Sequence, residues 1–343
     1  VSKAHKASNK NVSGNHEGKR AAREVVKQSA HKKDGSSSKK TKDVTIIYCP
    51  LHLGGPHAGV SMGPAAVKVA RLVSKIESLG FRVKKQVDIA VPEVLYWWEK
   101  SAKVAHCVPE IGAVSLDVAK AVEAALADNT IAVTIGGDHS LAIGSIAGVS
   151  SYYRKHKQEF GLVWYDAHGD INTPATSSSG NVHGMPLAIS LGDGDERLTE
   201  LLGYSPKVKN KRCALVGIRD LDSAERKLIE KSGILPFTMR NVDEKGIVKV
   251  TEECLDFIGN KVSGIHVSFD LDVMDPDIAP GVSTDSRGGL SYRESHLALE
   301  LLADTGLLRS VDFVELNPAL DIRNQTAELC VELVQSALGK NIL

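Results

Sequence analysis

Three short segments of this chain carry side chains of the kind that hold divalent metal ions. Asp166-Ala167-His168-Gly169-Asp170 alternates carboxylate and imidazole groups in a D-x-H-x-D pattern. Gly136-Gly137-Asp138-His139-Ser140 offers an imidazole behind a glycine pair, and Asp270-Leu271-Asp272, followed by Asp275-Pro276, offers further carboxylates. A lone D-x-D carries little weight, because the chain also has Asp193/Asp195, Asp220/Asp222 and Asp275/Asp277. A single histidine after two glycines is more often structural than a ligand. D-x-H-x-D is rarer, and its combination with the other two segments points to a metal centre. Four aspartates (Asp166, Asp170, Asp270 and Asp272) can converge only if cations offset the cost of burying them unpaired. Two divalent ions balance four carboxylates, and His139 and His168 add ligands without charge, which describes a binuclear centre. Carboxylates with imidazole suit Mn²⁺, with Co²⁺, Fe²⁺ and Zn²⁺ left open by ligand type. Two ions about 3.5–4 Å apart bridge a water and lower its pKa towards neutrality. The acidic surroundings also favour a cationic substrate.

What must position these segments is a sheet. Short apolar runs at Val44–Cys49, Ile131–Ile135, Gly161–Tyr165, Cys213–Ile218, Ile265–Phe269 and Val311–Val314 read as strands. Between them Pro64–Ser78, Val114–Ala127, Ala224–Lys231, Tyr292–Ala303 and Thr326–Leu338 carry apolar residues at three-to-four spacing and read as helices. The alternation predicts an α/β fold, a single-domain parallel sheet covered by helices on both faces. The three ligand segments each follow a strand, and open parallel sheets bind ligands outside the carboxyl ends of their strands. Glycines 136, 137 and 169 are placed to let backbone approach closely. The stretch from Pro92 to Gly112 fits no clear element, and its Trp97 and Trp98 read as packing anchors.

Composition bounds the rest. The 343 residues are 42% hydrophobic and 24% charged, the balance of a soluble globular chain with a sizeable core. No apolar run is long enough to span a bilayer. Five scattered cysteines without a C-x-x-C pair predict small buried hydrophobes in a reducing compartment rather than a disulfide framework. The formal charge of zero hides a basic segment, residues 1–43, with twelve Lys or Arg against four Asp or Glu. This segment has no Leu, Ile, Phe, Tyr or Trp, so it is expected to be a disordered, solvated tail ahead of a catalytic domain at 44–343. A basic, acid-poor start also fits a transit peptide or nucleic-acid arm. The acidic remainder offers nucleic acid no basic surface, and the tail has no aromatic for base stacking, so nucleic-acid binding is not expected. The chain starts with Val rather than Met, as a processed or trimmed chain would.

Several ordered motifs together resemble those of arginases, most of all the bacillus type. They are Gly136–Ser140, Asp166–Asn172, Ser179-Gly180-Asn181-Val182-His183-Gly184, Ser268–Asp272 with Asp275-Pro276, Gly288-Gly289-Leu290-Ser291-Tyr292-Arg293-Glu294 and Glu315-Leu316-Asn317-Pro318. The likeness runs from about Val44 to the C-terminus and implies a three-layer α/β/α fold. It implies hydrolysis of L-arginine to L-ornithine and urea by a hydroxide bridging two Mn²⁺. His139, Asp166, Asp170 and Asp270 would hold one ion and Asp166, His168, Asp270 and Asp272 the other. Asp170 would relay the proton of the nucleophile, His183 would be the proton shuttle and Glu315 would pair with the guanidinium. Asn172, Ser179 and Asn181 correspond to residues that recognise the α-carboxylate, Asp222 and Glu225 to those that read the α-amino group, and Thr284 lies near the guanidinium end. The family also implies a homotrimer or homohexamer. Two loops depart from its pattern: Ser283-Thr284-Asp285 replaces Gly-Thr-Pro, and His57 and Ser61 replace an arginine and an acidic residue.

Other readings share part of this pattern. Agmatinases and guanidino-acid hydrolases would use the same metals, but the Ser179–His183 loop and the Asp222/Glu225 pair favour an amino-acid head. Histone deacetylase-like amidohydrolases typically use one zinc. A non-catalytic arginase-like binding protein would lack some ligand positions, and here all six are filled. The location expected by default is cytoplasmic, with mitochondrial import of a precursor as the alternative.

Overall fold

The computed structural model describes residues 42–94 and 104–340. The expected tail up to residue 41, together with Trp97 and Trp98, lies outside the described residues. Eight strands form one sheet: β1 (Asp43–Cys49), β2 (Arg82–Asp88), β3 (Ile131–Gly136), β4 (Phe160–Tyr165), β5 (Cys213–Ile218), β6 (Leu235–Thr238), β7 (Gly264–Asp270) and β8 (Leu308–Val314). Their spatial order is β2-β1-β3-β8-β7-β4-β5-β6, and every pairing is parallel. After β3 the chain passes over the places later filled by β8 and β7 before it lays down β4. After β6 it turns back to lay β7 beside β4 and then β8 beside β3, and that reversal of direction is the switch point at which such sheets open a crevice.

Side chains alternate across the sheet as the strand period requires. Val44, Ile46 and Tyr48 of β1 join one core, with the helices Gly63–Val69, Leu72–Glu77, Ile247–Ile258, Tyr292–Asp304 and Gln325–Ala337. Ile47 and Cys49 join the other, with Val108–Ala127, Ala142–Lys155, Pro186–Leu191 and Ser223–Ser232. The sheet is therefore covered on both faces, as the alternation of elements predicts. All five thiols are free and four are buried. Among the described residues no helix is long and apolar enough to cross a membrane.

The six expected strands are present, and the two unforeseen ones are the edges. β2, RVKKQVD, is largely exposed, and charged residues are what an edge strand carries to discourage further pairing. β6 is four residues long and contains Pro236, tolerated where a ladder partner is missing. The expected helix Pro64–Ser78 is two, broken where Arg71 adopts a left-handed φ of 63°. The helix Ala142–Lys155 is absent from the sequence reading because eleven of its fourteen residues are buried, so no polar face marks its period. Its Gly144 and Gly148 lie against the helix Val108–Ala127, where an added Cβ would meet the Ser115 carbonyl at 2.6 Å and that of Ala119 at 2.4 Å. The helices Met239–Lys245 and Ile247–Ile258 were likewise not foreseen.

Candidate metal centre and substrate pocket

The four central strands, in the order β3-β8-β7-β4, each end in a functional side chain. His139 follows β3, Glu315 follows β8, Asp270 closes β7 with Asp272 in the next turn, and Asp166, His168 and Asp170 follow β4. The row closes because backbone passes where a side chain cannot. A Cβ on Gly137 would lie 1.7 Å from the Leu51 carbonyl oxygen, while Gly137 itself accepts from Glu315 N at 2.8 Å. Asp170 and Glu315 both occupy the left-handed region, with φ of 48° and 61°. That costs a non-glycine residue about 1–3 kcal/mol and is held by surrounding bonds; Leu187 N donates to the Asp170 carbonyl at 3.0 Å.

His139 Nδ1 lies 2.9 Å from Asp270 Oδ2 and 3.2 Å from both Asp166 Oδ2 and Asp170 Oδ2. Its Nε2 is 2.9 Å from Ser268 Oγ, and the ring stacks on Trp164 at 4.2 Å. The Trp164 indole donates in turn to Asp166 Oδ2 at 2.9 Å. On the other side His168 Nδ1 lies 3.0 Å from Asp272 Oδ2 and 3.4 Å from Asp166 Oδ1. Two groups of potential ligands result, His139–Asp166–Asp270 and Asp166–His168–Asp272, which share Asp166. All these residues are buried except His168, which is partly open to the pocket.

Within the cluster the carboxylates act on one another. Burial and the charges of Asp272 and Asp166 push the Asp270 carboxyl well above its ordinary range. Burial and Asp166 raise Asp170 to about 7. Burial also raises Asp272, in spite of the neighbouring His168. Burial works against protonating His139, yet its bonds to Asp166, Asp170 and Asp270 raise it well above normal. The charge of Asp272, with Asp166 behind it, raises His168 against the same penalty. Only Asp166 is lowered against burial, by hydrogen bonds from both imidazoles. Carboxylates buried and crowded in this way are groups that bound cations would stabilise.

Above this floor opens a pocket of about 200 Å³. Its lining includes Asp170, Asn172, Ser179, Asn181, His183, Asp222, Glu225, Thr284 and Glu315, together with His168, Asp270 and Asp272. His139 and Asp166 lie outside the lining. Glu315 Oε1 accepts from His139 N at 3.0 Å and lies 3.1 Å from His183 Nδ1, which leaves Oε2 for a cation in the pocket. Burial opposes that pair, but their mutual bond lowers Glu315 and raises His183 to about 9. Asp222 caps the helix Ser223–Ser232 in a reciprocal box with Glu225, and its Oδ2 accepts from Asn172 Nδ2 at 2.8 Å. Thr284 Oγ1 reaches Asp272 Oδ2 at 3.4 Å, and Ser283 Oγ accepts from Asn317 Nδ2 at 2.9 Å.

Some contributors carried no role in the sequence reading. Asp138 accepts from Gly54 N at 2.8 Å, and Gly54 O accepts from His183 N at 3.0 Å, so Asp138 anchors the loop under His183. Ser268 sits two residues before Asp270 on β7, and strand periodicity alone would put it on the same face. Ser177 and Ser178 line the pocket from a serine run that offers no such signal.

The family model described as "Arginase family" matches residues 42–339. An arginase of Bacillus subtilis is 44% identical over 302 residues, which span 88% of this chain and 99% of that relative. An arginase of Brevibacillus brevis is 43% identical over 302 residues, with coverage of 88% and 99%. Among solved structures, the native arginase of Bacillus caldovelox superimposes with a TM-score of 0.83 at 41% identity, covering 88% of this chain and all of the other.

Proposed function

This chain belongs to the arginase family, and from that premise we propose that it hydrolyses L-arginine to L-ornithine and urea at a centre of two divalent ions, with Mn²⁺ preferred. The carrying observation is the convergence of His139, Asp166, His168, Asp170, Asp270 and Asp272 at one row of strand ends, beneath a pocket faced by Glu315. This donor set fits two ions: carboxylates and imidazoles only, buried and crowded together. Ions held there would lower the pKa of a coordinated water towards neutrality and so supply a nucleophile without a strong base.

The chain's own residues supply the remainder. The guanidinium carbon is a poor electrophile, because resonance spreads its charge, and so it must be held in line. Glu315, anchored through Oε1, presents Oε2 to the guanidinium. Asp170 takes up the proton of the attacking water and passes it to the departing amine nitrogen. His183, paired with Glu315, is protonated at neutral pH and restores the proton balance from solvent. Asn172, Ser179 and Asn181 take the α-carboxylate, and Asp222 with Glu225 takes the α-amino group. We assign this activity to residues 44–343.

The test is urea release from L-arginine after incubation with Mn²⁺, with agmatine in parallel and Asp170→Asn as control. Turnover of arginine alone, lost in the variant, is expected. Turnover of agmatine instead would move the specificity to another ureohydrolase, and no turnover of either substrate would overturn the enzymatic reading.

A further inference from the structure

Arg219 follows β5 and turns its guanidinium away from the pocket into a shell of main-chain carbonyls. Nε donates to the carbonyls of Ser286 and Arg287 at 3.2 and 3.1 Å. Nη1 donates to Gly217 and Val273 at 3.2 and 3.0 Å. Nη2 donates to Asp272, Met274 and Ser286 at 2.7, 3.2 and 2.6 Å. The main-chain N of the same residue donates to the Ala167 carbonyl at 2.9 Å. A guanidinium has five N–H donors in a rigid fork, and here all of them are spent on backbone. Arg219 therefore has no donor left for a substrate. What it ties together is specific: the Ala167 turn between Asp166 and His168, the turn that carries Asp272, and the loop that carries Thr284.

That third loop is pinned on both flanks as well. Asn317 holds Ser283, and Asp275 Oδ2 accepts from Gly288 N at 2.8 Å and Gly289 N at 3.4 Å. Thr284 sits between these anchors, within 3.4 Å of Asp272. The fixed charge of Arg219 is also felt by Asp272, Asp166, Asp275 and Asp270, so it offsets part of the carboxylate repulsion from behind.

We propose that Arg219 is a positioning residue for one half of the metal centre, the Asp166–His168–Asp272 group, and for Thr284 above it. This rests on the binuclear reading given above. The group has two ligands, Asp166 and His168, on the turn that the Arg219 main chain holds and one, Asp272, on the turn that its guanidinium holds, whereas His139 of the other group is fixed independently by Ser268 and Trp164. A lysine keeps the charge and the main-chain bond to Ala167, but as a compact ammonium with three donors it cannot hold the Asp272 turn and the Ser286–Arg287 loop together.

The experiment is a titration of Mn²⁺ into chelated wild type, Arg219→Lys and Arg219→Ala, with bound metal counted by mass spectrometry and urea release followed at each metal concentration. Wild type is expected to fill two sites. Both variants should fill one site as wild type does and the other about 10- to 100-fold more weakly, the usual cost of removing a partner that orients a ligand. Their kcat should recover at saturating Mn²⁺ while KM for L-arginine stays raised. Where circular dichroism shows Arg219→Ala unfolded after chelation, Arg219→Lys carries the test. Wild-type affinity at both sites in a folded variant would overturn the role of Arg219, as would equal weakening of both. Fewer than two ions in the wild type would instead overturn the binuclear reading, and the clamp with it.

Discussion

The floor and the rim of the pocket are built on different principles. Floor side chains grow from the carboxyl ends of four adjacent hydrogen-bonded strands, are nearly all buried, and are oriented by protein partners such as Ser268 and Trp164. Rim side chains come from the loop 172–184 and the start of the helix Ser223–Ser232, and they largely hold one another. Asn172 donates to Asp222, which caps the helix with Glu225. A sheet fixes positions in common, so the floor can carry chemistry that tolerates little misplacement. A rim of mutually bonded loop residues can vary without moving the sheet, which suits the part that chooses a substrate.

The comparison can be broken hardest at the ions. Without them the floor is a set of carboxylates in mutual repulsion, as the raised Asp170, Asp270 and Asp272 show. A ligand present at about a thousand times its Kd stabilises by about 4 kcal/mol. Chelation of a fully loaded sample should therefore lower Tm by more than about 5 °C and abolish urea release, with both restored by Mn²⁺. A chelated, verified metal-free sample with unchanged Tm would mean the floor is held by packing alone. Next in size, Asp170→Asn at saturating Mn²⁺ should lower kcat about 10³-fold, within the range for losing a general acid–base group. Its KM for L-arginine should change far less, because the rim is untouched. A loss confined to KM would place Asp170 with the rim.

This division also explains what could be read from the chain. The floor was legible because dense ligand types stood directly behind strongly apolar runs, and β4 and β7 show this in Tyr165-Asp166 and Phe269-Asp270. Asp222 and Glu225 carry a helix-start pattern of their own, but nothing local says that Asp222 meets Asn172, fifty residues earlier. The role of Arg219 was equally hidden, because its partners are carbonyls, which every residue has. The same limit applied to the fold. β2 and β6 were missed because edges are not apolar runs, and Ala142–Lys155 because a helix buried all round has no polar stripe.

The rim can be tested by a substitution that leaves the floor intact. Asp222→Ala removes an acceptor of Asn172 and the cap of the helix Ser223–Ser232. Loss of a charged hydrogen bond to substrate, about 1.5–3 kcal/mol, should raise KM for L-arginine about 10- to 100-fold and leave kcat within a few-fold. Loss of the cap should cost about 1 kcal/mol of stability. Steady-state kinetics beside a thermal melt separates the two. If kcat collapses while metal content is normal, rim and floor are coupled and the division fails.

The smallest expected effect lies at the seam between the two regions. His183 belongs to the rim loop by sequence and to the floor by its bond with Glu315. The bond and charge of Glu315, supported by Asp138 and Asp170, raise the imidazole from 6.5 to about 9 against the cost of burial. A histidine raised on folding stabilises fully below its unfolded pKa, and that contribution disappears as pH rises through the folded one. In chelated protein, the Tm advantage of wild type over His183→Asn should therefore be greatest below about pH 6.5 and shrink towards nothing by about pH 9. The change should amount to a few degrees, because the imidazole keeps some contact with solvent. A difference between the two proteins that stays constant across that range would show that His183 is held by the loop alone. The link from rim to floor would then run through the backbone bond of His183 to Gly54, and not through the ion pair.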